Sequence, residues 1–260
     1  VRLLFIGDIV GSPGREIVVA RVPELIESHQ LDLVIANAEN AAAGSGITPQ
    51  IYKQLKAAGV DCITLGDHVF RRKEIFPTLD TADDMVRPAN YPSEAHGREW
   101  CIVTARDGTR VGVCCFLGQL FMKPIDSPWR AADRVLAAMP ADVKVRFVDF
   151  HVEATSEAQL MGRYLDGRVA AVLGTHTHVP TADECILPGG TAFQCDVGMT
   201  GPHDGVLGRL TERVMETQLT ANPTQFDVAT GDVRLNGTIV DIDPTTGLAT
   251  AIERLCVRAS

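Results

Sequence analysis

The sequence contains no C-x-x-C pair, and its seven cysteines (Cys62, Cys101, Cys114, Cys115, Cys185, Cys195 and Cys256) are odd in number. That spacing argues against a zinc–thiolate site. Several of the thiols lie inside apolar runs such as VGVCCFLG, where they read as small buried hydrophobes in a reducing compartment. No stretch approaches the roughly 20 apolar residues that cross a bilayer. The opening VRLLFIGDIVG is interrupted by Asp8 too early to serve as a secretory h-region, so a soluble cytoplasmic protein is expected. Positive charge is also short: 24 Lys and Arg face 33 Asp and Glu, for a net charge of −9. Phosphate-backbone affinity rests on Lys and Arg, which makes long nucleic acid an unattractive partner. A small phosphorylated ligand stays open, because metal ions can neutralise a phosphate locally. The glycine-rich GDIVGSPG matches neither G-x-G-x-x-G nor G-x-x-x-x-G-K-[ST]. Linkers, internal repeats and low-complexity segments are absent too, and one domain spanning residues 1–260 is expected.

What is present is an alternation of strand-like and helix-like segments. RLLFI, DLVIANA and DCITLG read as strands. Between them, GREIVVARVPELIESHQ has helical spacing, with Pro23 expected to kink it or end a turn, and TPQIYKQLKAAGV is an amphipathic helix closed by Gly59. This order implies parallel strands with helical crossovers. EWCIVTARDGTRVGVCCFLG then reads as a hairpin turning at Asp107-Gly108. SPWRAADRVLAAM and SEAQLMGRYL are helices, VKVRFVDF and RVAAVLG strands, and the tail from Phe226 is mostly β. The mixture predicts an α/β fold of two packed mixed sheets with helices outside, a four-layer αββα sandwich.

The chemistry gathers where apolar runs end. Asp8 follows LLFIG, Glu39 and Asn40 follow LVIANA, Asp67 and His68 follow CITLG, His151 follows VRFVDF, and His176 and His178 follow AAVLGT. Ligands of open α/β sheets collect at the carboxyl ends of strands, so these loops are expected to share one edge. Read alone, Asp8 is as good a turn residue, Glu39 and Asn40 fit an exposed loop, and His68 fits a core histidine. Together they offer carboxylate, amide and imidazole donors suited to zinc, manganese or iron. His176 and His178, at i and i+2, point to one side if the backbone stays extended. His29 and His96 read as solvated. His203, in VGMTGPHDGVLG, lies in a glycine-rich stretch expected to close over the site and contact substrate.

The pieces GDIVG, NAEN, GDH, DFH and GTHTH together resemble the calcineurin-like metallophosphoesterase superfamily. NAENAAAGSGIT, HVEATSE and DVGMTGPHDGVLG narrow the resemblance to its bacterial YmdB-like branch. The resemblance implies two metal ions, iron or manganese with zinc as an alternative, and phosphodiesterase activity on cyclic nucleotides, 2′,3′-cyclic or 3′,5′-cyclic, by attack of a metal-bridged hydroxide. It implies Asp8, Glu39, Asn40 and His178 around one metal and Glu39, Asp67, His151 and His176 around the other. His68 would be the proton donor, and Asn40 and His203 would meet substrate. Asp67 departs from the family's Asn, adding a negative charge that favours cations and weakens their pull on phosphate. A homo-oligomer follows only from the resemblance. The rival readings are a regulatory or binding protein that keeps the fold with little catalysis, and a dinuclear amidase or peptidase.

Overall fold

The computed structural model describes residues 1–259. In chain order the strands are β1 (Arg2–Ile6), β2 (Leu33–Asn37), β3 (Cys62–Thr64), β4 (Met85–Val86), β5 (Trp100–Thr104), β6 (Arg110–Leu117), β7 (Val145–His151), β8 (Ala171–Thr175), β9 (Cys185–Ile186), β10 (Ala192–Gln194), β11 (Gly201–Asp204), β12 (Gly231–Asp243) and β13 (Leu248–Arg258). The helices are α1 (Gly11–Ser28), α2 (Pro49–Ala57), α3 (Phe76–Thr81), α4 (Pro128–Ala138), α5 (Thr155–Tyr164) and α6 (Thr211–Thr220).

One sheet has the order β11-β12-β1-β2-β3-β4, with β13 paired to β12; β1 to β4 run parallel and β12 lies antiparallel to β1. The other has the order β5-β6-β7-β8-β10-β9, parallel except for its edge strands β5 and β9. Side chains alternate across each strand, and here both faces are buried. Leu3 and Phe5 point into the space between the sheets with Val113, Phe147 and Leu173, while Leu4 and Ile6 pack under α1 and α2 with Val18, Val22 and Leu55. On the far side, Phe116, Val148 and Phe150 pack under α4 and α5 with Val135 and Met161. Burial on both faces is why these strands read as unbroken apolar runs and not as an alternation. The expected αββα sandwich is what forms.

Local expectations fare unevenly. The β5–β6 hairpin turns at Asp107-Gly108, where the Asp107 carboxylate accepts from the Thr109 amide and hydroxyl. Pro23 does not end α1, which runs through it to Ser28. Pro23 and Val19, whose carbonyl loses its partner, are both exposed, so water can satisfy the freed oxygen. The extended backbone on which His176 and His178 would point to one side does not form. β8 stops at Thr175, and the two histidines have φ of 104° and 65°. Neither α6 nor the short strands β9, β10 and β11 was foreseen.

Candidate metal centre

The parallel strands deliver the polar residues to one place. β1, β2 and β3 end just before Asp8, Glu39-Asn40 and Asp67-His68; β7 ends on His151 and β8 just before His176 and His178. Two groups result, and Glu39 lies between them.

In the first group Glu39, Asp67, His151 and His176 each present a ligand atom, all within 4.8 Å of one another. His151 Nε2 is 3.3 Å from Glu39 Oε1, 3.5 Å from Asp67 Oδ1 and 3.0 Å from His176 Nδ1. Asp67 Oδ1 is buried without a hydrogen-bond partner, an arrangement a cation would satisfy. Gly66 keeps the space open: a Cβ there would lie 2.2 Å from Glu39 Oε2 and 2.4 Å from His151 Nε2.

In the second group Asn40 Nδ2 lies 3.0 Å from Glu39 Oε1, 3.2 Å from His178 Nε2 and 3.5 Å from Asp8 Oδ1, and His178 Nε2 is 3.9 Å from Asp8 Oδ1. The left-handed backbone thus sends the two histidine rings to different groups, where an extended strand would have held them side by side. His178 Nδ1 lies 3.2 Å from the Leu207 carbonyl, which can only accept; this places the ring proton on Nδ1 and leaves the Nε2 lone pair facing the group. His68 sits between the groups and the cleft, with its amide donating to Glu39 Oε2 at 2.9 Å and its Nδ1 2.7 Å from Asn40 Oδ1.

A buried network fixes His151. The Thr175 hydroxyl donates to Asp149 Oδ1 at 2.7 Å and accepts from His151 Nδ1 at 2.8 Å, so the neutral ring keeps its proton on Nδ1 and turns the Nε2 lone pair to the cluster. Asp149 accepts from Asn37 Nδ2 and the Thr64 hydroxyl as well, and burial pushes its carboxyl up to about 6 against these favourable partners. Asp196 anchors the turn carrying the two histidines by accepting from the Thr177 amide and hydroxyl and the Gly198 amide; burial and the nearby Asp8 raise its carboxyl to about 8.

The electrostatics favour a cation. Burial works against ionisation of Glu39, but His151 and His68 reverse it and hold the carboxyl well below its usual range. Burial likewise opposes a charged His151, yet Glu39 and Asp67 raise its imidazole well above the usual value. Burial and the neighbouring His151 lower His176. Positive charge is therefore drawn to the space between Glu39, Asp67 and His151, and metal ions compete with protons for the same lone pairs. The donor set, the partnerless Asp67 oxygen and the room left by Gly66 fit metal ions.

His203 does not reach this cluster. It lies on β11, with Nδ1 2.9 Å from the Gly201 carbonyl and Nε2 3.1 Å from Asn236 Nδ2, and it lines a different cavity with Arg234 and Arg254. Strand pairing, not a closing loop, claims this stretch. Sequence reasoning passed over Glu153, whose Oε2 is 3.2 Å from His176 Nε2, and Lys123, whose Nζ is 3.9 Å from Asp67 Oδ2. It also passed over Asp149, whose signal was a carboxylate inside an apolar strand two residues before His151. Among the described residues, no helix is long and apolar enough to cross a membrane.

Known proteins share this chain's sequence and shape over nearly its full length. A 2′,3′-cyclic-nucleotide 2′-phosphodiesterase of Bacillus subtilis (strain 168) is 46% identical over 256 residues, covering 98% of this chain and 97% of that protein. The crystal structure of a hypothetical protein from Thermus thermophilus superposes with a TM-score of 0.94 at 40% identity, covering 100% of both chains. That of a novel phosphatase from Mycoplasma pneumoniae gives 0.92 at 31% identity, covering 99% of this chain and 93% of the other. The profile of the family described as YmdB-like protein matches residues 4–255. A match of that extent takes in both sheets and every strand end that feeds the cluster: the chain belongs to the YmdB-like protein family.

Proposed function

We propose that this chain is a dinuclear metal-dependent phosphodiesterase acting on cyclic nucleotides, 2′,3′-cyclic or 3′,5′-cyclic, with residues 1–260 working as one domain. The observation that carries the reading is the convergence of Glu39, Asp67, His151 and His176 within 4.8 Å, beside the Asp8–Asn40–His178 group. The activity of the Bacillus subtilis relative supports the substrate class. Glu39, Asp67, His151 and His176 would hold one cation and Asp8, Glu39, Asn40 and His178 the other. Bound there, the cations would supply Lewis acidity toward a phosphoryl oxygen and toward water.

The chain's own residues do the rest. Glu39 and Asp67 face His151 and draw cations to the place where a phosphodiester would sit. Asn40 points Nδ2 at Asp8 and His178 and Oδ1 at His68; turning its amide over exchanges these ends and presents the oxygen as a donor to a cation. His68 lines the cleft; with the Asn40 amide turned over, Nδ2 donates to His68 Nδ1, and the ring proton then lies on Nε2, from where it can pass to the leaving alkoxide.

The test is purified protein supplied with manganese or iron and a panel of 2′,3′-cyclic nucleotides, 3′,5′-cyclic nucleotides, bis(p-nitrophenyl) phosphate and amides. Diester hydrolysis that is abolished by chelation and restored by metal is expected. Metal binding without turnover of any ester or amide would leave the regulatory reading standing in its place.

A further inference from the structure

The cleft above the candidate metal centre, about 360 Å³ in volume, has two unlike walls. One is polar: Glu39, Asn40, His68, His176 and His178. The other is apolar: Val206, Leu207, Val214 and Phe226. Val206, Leu207 and Phe226 remain 40%, 48% and 39% exposed, an unusual use of large apolar side chains beside a charged cluster unless a ligand covers them. The wall is built firmly. Arg209 donates to the carbonyls of Ala43 and Gly44, which lie just beyond Glu39 and Asn40, and to that of Phe226 at 2.9 Å. A Cβ on Gly44 would strike this guanidinium at 2.3 Å, so glycine is what lets Arg209 reach across. His178 ties its Nδ1 to the Leu207 carbonyl. The apolar wall is thus fixed to the same residues that form the polar one.

We propose that Val206, Leu207, Val214 and Phe226 form a nucleobase subsite, holding the base of a nucleotide whose phosphate lies against the polar wall. This rests on the phosphodiesterase reading above. Single-stranded bases are taken up by stacking on aromatic rings, and Phe226 supplies the ring here. The wall offers little for a base edge, because both Nη1 hydrogens and one Nη2 hydrogen of Arg209, its one charged side chain, go to backbone carbonyls. Stacking without edge readout tolerates every base, so the subsite distinguishes nucleotides from base-free phosphodiesters and discriminates little among bases.

The experiment compares 2′,3′-cyclic AMP with ribose 2,3-cyclic phosphate, which lacks the base. Phe226→Ala should raise KM for 2′,3′-cyclic AMP about tenfold, the size expected of a lost stacking contact, and leave KM for the base-free compound unchanged. Phe226→Tyr should restore the parent value, and thermal melting should show both variants folded. Equal changes for the two substrates, or no change for either, overturn the subsite. Should the parent protein hydrolyse neither compound, the phosphodiesterase reading fails, and calorimetry with adenosine 3′-monophosphate and inorganic phosphate decides the subsite separately. Tighter binding of the nucleotide that is lost in Phe226→Ala upholds it, and equal affinity for the two probes overturns it.

Discussion

Thr175 connects the fold to the candidate metal centre through one hydroxyl, which donates to Asp149 and accepts from His151. Thr175→Val keeps the shape and removes both bonds, leaving His151 free to turn or change tautomer. Losing such a support is expected to weaken metal affinity about 10–100-fold, measured by competition with a chelating dye; Thr175→Ser should recover most of it. Unchanged affinity in Thr175→Val would show that packing alone orients the ring. His68 makes a different prediction, because it sits at the cleft and is assigned to no cation. His68→Ala should retain its metal and lose roughly 10²–10⁴-fold in turnover of a substrate with a poor leaving group. The deficit should shrink for bis(p-nitrophenyl) phosphate, whose leaving group needs no proton. The residues at strand ends were legible in the sequence because each interrupts an apolar run. Glu153 and Lys123 were not, since an exposed charge carries no sign of what it faces.

The two-residue turn Val206–Arg209 shows how an element can serve the site against its own preference. Val206 and Arg209 exchange amide–carbonyl bonds, and the central Leu207 and Gly208 have φ of 50° and 84°. Turns with two positive φ values favour Asn or Gly at the first centre, and a leucine there carries about 1–2 kcal/mol of strain. Leu207→Asn is expected to stabilise the protein by up to about 1 kcal/mol in urea titration, while raising KM for nucleotides through loss of the apolar side chain. A stability loss above that size would mean that Leu207 packing outweighs the turn. Similar positive φ values at His176 and His178 explain why the i, i+2 spacing of T-H-T-H does not put both rings on one side: periodicity reports side-chain direction only while the backbone is regular. The long strands and α2, α4 and α5 were legible from periodicity and caps. The three-residue β10 and the two-residue β9 hold too few side chains to make a pattern, and α6 buries none of its residues, so it lacks the apolar stripe that marks a helix.

At the level of the molecule, the two halves of the site belong to different sheets. Asp8, Glu39, Asn40, Asp67 and His68 follow strands of one sheet and His151, His176 and His178 strands of the other. The site therefore depends on how the sheets pack, and Phe5 and Phe147 meet across them with ring centroids 4.8 Å apart. Phe147→Ala should destabilise the fold by about 3–5 kcal/mol and weaken metal binding as well, although Phe147 is no ligand; destabilisation with normal metal affinity would mean that the strand ends hold their spacing without this contact. The sandwich was legible because both of its sheets announce themselves as doubly buried strands. The pairing of particular strand ends across the interface came only with the family resemblance, since no local pattern encodes which sheet lies opposite. Elemental analysis of the purified protein beside its Glu39→Gln variant tests the central claim most directly. About two equivalents of iron, manganese or zinc in the parent, falling by half or more in a folded variant, is the predicted result; equal metal content in the two proteins, or none retained by the parent after metal loading, would contradict it.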